Sequence, residues 1–125
     1  MDGKLLLFAV IAGILSGINL FMHKVAANRL DRTALGEILR ISFLTQLAGN
    51  PYVYVVLIMG LLVLSVDLAF LSNEVPAIVG LNLVIVIGNV LFVALSVLLL
   101  GEKLDLRIAA GIAFAILAVV LLAKV

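Results

Sequence analysis

Residues 76–100 read PAIVGLNLVIVIGNVLFVALSVLLL, a run without a charged side chain that is closed by Gly101-Glu102-Lys103. As a helix rising about 1.5 Å per residue, this run exceeds the roughly 30 Å hydrocarbon core of a bilayer. It is too long for a strand and too uniformly apolar for a helix with one solvated face. Working outward, three further apolar runs appear at Leu5–Met22, Tyr52–Leu71 and Ile108–Ala123. The last is slightly short, and Arg107 and Lys124 at its ends lengthen its usable span because their long side chains reach the interfaces. The pattern predicts an all-α membrane protein, a four-transmembrane-helix bundle that takes up residues 1–125 as a single domain.

Composition points the same way. Hydrophobic residues make up 66% of the 125 residues and charged residues 12%, with a mean hydropathy of +1.44, whereas soluble domains carry about 25% charged residues. A water-soluble chain of this length could not hide so much apolar surface. The net charge of +1 is dispersed, unlike the dense basic face of a nucleic-acid-binding domain. There is no cysteine, hence no disulfide or thiolate site, and no cofactor is expected. Met1-Asp2-Gly3-Lys4 before the first run has the look of a signal-peptide start. No soluble domain follows, so the run reads as a retained helix.

Ser72–Val75 and Gly101–Arg107 are short connections and predict tight antiparallel hairpins on either side of the third run. The Lys24–Pro51 connection is longer and holds a helix-compatible stretch, Ala34–Leu47, which Asn50-Pro51 ends. It reads as an interfacial helix without chemistry of its own. Lysine and arginine set the orientation. Lys24, Arg29, Arg32, Arg40, Lys103 and Arg107 fall in the first and third connections, against Lys4 and Lys124 on the other side, six to two. Loops 23–51 and 101–107 are therefore expected to be cytoplasmic.

Polar residues inside the spans are the candidate pathway residues: Asp67, Asn82, Asn19 and Asn89. A charged side chain at depth costs from about 2.5 kcal/mol upward, which marks Asp67 as functional by default, although it lies near one boundary. Across the hairpin Asn82 has a similar expected depth and could hydrogen-bond it. Asn19 and Asn89 share a deeper expected level and could meet between the first and third spans, either as interhelical glue or as a polar track. His23 reads as a solvated boundary residue. Small residues mark helix contacts: Ala9, Gly13 and Gly17 in the first span, Gly111 and Ala115 in the fourth. Gly80 and Gly88 allow bending or close approach in the third. No phosphate-binding glycine loop, paired zinc histidines or serine nucleophile with a base is present, so no enzymatic activity is expected.

Asn73-Glu74-Val75-Pro76-Ala77-Ile78-Val79-Gly80, followed by Leu98-Leu99-Leu100-Gly101-Glu102-Lys103-Leu104-Asp105-Leu106-Arg107 running into Gly111, resembles the last half of a drug/metabolite transporter superfamily module. The resemblance covers Gly49 to Val125, and Ser16-Gly17, Met22 and Lys24 fit the first helix more loosely. Among four-helix members the chain resembles EamA-like proteins and the subunits of the aminoarabinose-lipid flippase, and more distantly the small multidrug resistance exporters. Those exporters carry a first-helix glutamate where Ile14 stands here, and third-helix aromatic residues where Leu81 and Val84 stand. The resemblance implies a small transporter or flippase subunit in the bilayer, in a prokaryotic inner membrane, that moves an amphipathic or lipid-linked substrate. It also implies a homodimer, or a heterodimer with a similar four-helix subunit, for which the Gly111/Ala115 face is the expected contact and a parallel arrangement follows from the charge bias. Two alternatives stand beside it: a proton-coupled exporter using Asp67, and a non-transporting subunit that packs against a partner.

Overall fold

The computed structural model describes residues 2–31 and 35–124. These form five α-helices and no strand among the described residues: α1 (Gly3–Ala27), α2 (Ile41–Gly49), α3 (Pro51–Leu71), α4 (Ala77–Leu100) and α5 (Leu106–Ala123), with a 3₁₀ turn at Leu35–Glu37. Four of them, α1, α3, α4 and α5, are long and apolar enough to cross a membrane. Arg32 and Ala34, used above for the charge count and the helix-compatible stretch, lie outside the described residues, as does Val125.

Helix ends follow local chemistry. Asp2 caps α1 by accepting from the Lys4 N–H, and α1 runs on through His23 and Lys24 to Ala27, five residues beyond the expected end at Met22. Those two polar residues lie in the final turns of a helix, where basic side chains suit the negative end of the dipole. In the long connection the regular helix is Ile41–Gly49 rather than a single helix from Ala34. Asn50 then caps α3 through the Tyr52 N–H, with Pro51 at the first helical position, where its missing N–H costs nothing. Gly101 ends α4 at φ +67°, a left-handed conformation that favours glycine. Asp105 accepts from the Ile108 N–H at 2.8 Å and starts α5 two residues earlier than expected, at Leu106.

The helices pack side by side in the order α3, α1, α4, α5. α1 is the wedge. Its small-residue face meets α4 so closely that a methyl at Gly17 would lie 2.7 Å from the Gly88 carbonyl oxygen, and one at Gly13 would lie 2.5 Å from the Ile87 side chain. On its other side α1 runs antiparallel to α3: Phe8 stacks on Phe70 at 5.6 Å near one end, and Asn50 Nδ2 donates to the Ala26 carbonyl at 2.9 Å near the other. Ala9, Ala12, Phe70, Leu83 and Val84 form the buried core between these helices.

This wedge corrects the expected hairpin between the second and third spans. α3 and α4 touch little, with Phe70, Leu71 and Val75 closing on Gly80 near the connecting turn. Beyond the turn α1 separates them. α5 leans chiefly on α4 and is otherwise exposed. The surface area of 8310 Å² exceeds the roughly 6,400 Å² expected for a globular monomer of this mass, as an open row of helices should.

Candidate functional site

Asp67 and Asn19 belong to one seam. The Asn19 amide nitrogen lies 4.0 Å from where a methyl at Gly60 would stand, so Asn19 faces α3. Gly60 and Asp67 are seven residues apart on α3 and therefore share its face to within about 20°. Asp67 thus stands on the α1/α3 contact, about 10 Å along the helix from the Asn19 level. Asn19 Oδ1 and Asp67 Oδ1 are both buried without a hydrogen-bond partner. In a helix pair surrounded by lipid, an orphaned polar atom costs several kcal/mol. An arrangement that keeps two of them has polar capacity to offer a visiting group.

Asn82 and Asn89 lie elsewhere. Seven residues apart on α4, they share a face that points away from the α1 contact made by Val84, Ile87, Gly88 and Leu91. Asn82 is exposed and donates to its own helix, at the Ile78 carbonyl. Asn89 is exposed and lines a cleft of about 300 Å³ between α4 and α5, with Val93, Ile108, Gly111 and Ala115. The expected pairings of Asp67 with Asn82 and of Asn19 with Asn89 are not made. α1 takes the space between α3 and α4 and so parts Asp67 from Asn82, whereas Asn19 and Asn89 stand on neighbouring helices but face opposite ways, Asn19 toward α3 and Asn89 away from α1.

On α1 the small residues Gly13 and Gly17 are consumed by the α4 contact, whereas a methyl at Gly111 would meet no atom within 4 Å. The His23 ring donates from Nδ1 to the Asn19 carbonyl oxygen at 2.6 Å, since that oxygen can only accept, and the residue is exposed. On the other side of α5, a groove of about 370 Å³ runs between α1, α4 and α5. Its lining is apolar throughout, with Ile14, Ile87, Leu91, Ala94, Ile116 and Val120 among its residues. Val90 lines both clefts.

Three features escaped the sequence reading. Ser96 is 2% exposed with its hydroxyl oxygen unpartnered, and its signal was available, because it continues the Asn82, Asn89 spacing by another seven residues. Asn50 was read as a breaker but is 5% exposed and ties α1 to α3. Arg29 stacks over the Tyr52 ring at 4.5 Å, a contact between residues 23 positions apart that no local pattern carries. Among the described residues no cluster of histidine, cysteine, aspartate or glutamate could hold a metal ion.

Comparison of the chain with protein-family models, with curated proteins and with solved structures gave no match. Its four apolar helices make it a small integral membrane protein.

Proposed function

We propose that the chain is one module of a paired small membrane transporter or flippase, of the drug/metabolite transporter kind that its sequence resembles, and that it moves an amphipathic or lipid-linked substrate. The observation that carries this reading is the apolar groove between α1, α4 and α5, with Ile14 in its wall. Ile14 is the position that the resembled cation exporters fill with a glutamate. An isoleucine cannot neutralise a cation, but it suits a hydrocarbon chain. Asn19 and Asp67, on the α1/α3 seam across α1 from this groove, supply hydrogen-bonding capacity for a polar head that the groove itself lacks. A second module would cover the open side of α5. Asn89 and Gly111 border the same cleft there, and an exposed amide at that depth gains a partner when a second helix arrives.

The test is lipid movement in proteoliposomes. Short-chain fluorescent lipids should cross the bilayer faster with the protein than without it. Ile14→Glu should stop the movement and Ile14→Leu should preserve it. Empty and protein-bearing vesicles that behave alike would reject the reading. A proton-coupled exporter is the second reading, favoured by the buried Asp67 oxygen. It requires ligand binding linked to uptake or release of a proton, and binding that is independent of pH would remove it.

A further inference from the structure

Where α1 finishes and α3 begins, two clefts share a wall. One, of about 340 Å³, is lined by Arg29, Gln46, Gly49, Asn50 and Pro51. The other, of about 260 Å³, is lined by His23 with Ala26, Leu30, Leu47, Val53 and Val56. The wall is the hydrogen bond from Asn50 Nδ2 to the Ala26 carbonyl, 2.9 Å, since Asn50 borders the first cleft and Ala26 the second. Val53 and Val56 follow Pro51 along α3, so the apolar cleft lies about 3–8 Å further into the span than the polar one. Polar outside and apolar inside is the order in which a lipid presents its headgroup and its acyl chain.

Positive charge in the outer cleft comes from Arg29 among the described residues that line it. The guanidinium is held at two points: it stacks on the Tyr52 ring at 4.5 Å, and one NH₂ group donates to the Tyr52 hydroxyl at 3.3 Å. That leaves most of its five N–H donors for a ligand, already oriented. The start of α3 is not the anion-binding element. Pro51 has no N–H, Tyr52 N–H is taken by the Asn50 side chain and Val53 N–H by the Asn50 carbonyl. Arg40 is paired with Glu37 at 3.3 Å, and Gln46 holds Asp31 through both atoms of its amide. Between Lys24 and Pro51 the sequence has four basic and two acidic residues, an excess that favours an anionic partner over a zwitterionic one.

We infer that this corner binds an anionic phospholipid, with its phosphate on Arg29 and the first carbons of one acyl chain in the cleft between His23 and Val56. The site is separate from the apolar groove at Ile14, and its occupation does not depend on what that groove carries. Native mass spectrometry of the full chain, released from micelles and titrated with phosphatidylglycerol or phosphatidylcholine, tests it. Wild type should retain phosphatidylglycerol preferentially. Arg29→Gln should weaken that retention about tenfold, the size of one lost charged hydrogen bond. Gly49→Leu gives an independent measure. A methyl at Gly49 meets no atom within 4 Å and Gly49 lines the outer cleft, so a leucine there should fill the cleft and weaken retention as much with Arg29 intact. Lys103→Gln should bind as wild type. Equal retention of the two lipids, unchanged retention by Gly49→Leu, or displacement of phosphatidylglycerol by inorganic phosphate would each overturn the inference, the last by showing a site for a free anion.

Discussion

Ala9, Gly13 and Gly17 on α1 and Gly111 and Ala115 on α5 share a four-residue spacing of small side chains, yet the two faces have opposite fates. The α1 face is used up inside the chain, against the Gly88 carbonyl and the Ile87 side chain. The α5 face opens on a cleft, and Gly111 has no neighbour within 4 Å of an added methyl. The spacing states that a backbone can approach closely. Position in the row of helices decides whether it does: α1 has a neighbour on either side, and α5 stands at the end. Two polar groups divide the same way, with Asp67 on the α1/α3 seam and Asn89 on the open side.

Gly17→Leu puts the comparison under its greatest strain. The side chain would enter space held by backbone, so the fold should lose about 3 kcal/mol or more, the upper end of overpacking costs. Gly111→Leu should alter the stability of the single chain by no more than about 0.5 kcal/mol while separating the proposed pair. Reversible unfolding in mixed micelles measures both, and equal losses at the two positions would erase the distinction. Asn50→Ala comes next. It removes the α3 cap and the side-chain hydrogen bond to the Ala26 carbonyl, which keeps its bond from the Arg29 N–H, for about 2 kcal/mol in the same assay, and a neutral result would mean that the α1/α3 tie is dispensable.

Asp67→Asn should keep stability within about 1 kcal/mol of wild type and still reduce lipid movement in proteoliposomes, because the folded chain gives Asp67 Oδ1 no partner to lose. Unchanged transport would make Asp67 a boundary residue. Asn89→Leu has the smallest expected effect, a weakening of pairing by about 0.6 kcal/mol, the average for an interhelical hydrogen bond in a membrane. Dimerisation in a dilution series by energy transfer would read it.

The spans were legible because an apolar run long enough to cross a bilayer has few other uses; their starts moved by one or two residues where Asp2, Asn50 and Asp105 act as caps, and the end of α1 moved by five. The neighbours were not legible. Short connections argued that α3 and α4 form a hairpin, and the sequence at Ser72–Val75 contains nothing to announce that α1 inserts between them. Depth, a count along each helix, does not say which face a side chain occupies or which helix lies opposite, and so did not say which polar side chains meet. Asp67 and Asn82 have similar depth and different faces. The stacking of Arg29 on Tyr52 was hidden for the same reason, since it depends on how α1 and α3 come together.

The chain has no cysteine, so single cysteines can report its faces directly in native membranes. Oxidative crosslinking of Gly111→Cys, with Gly13→Cys as the internal comparison, tests the division of the two small-residue faces most directly. Position 111 should give a covalent dimer and position 13 none, because Ile87 covers that site. Crosslinking at 13 with none at 111 would contradict that division.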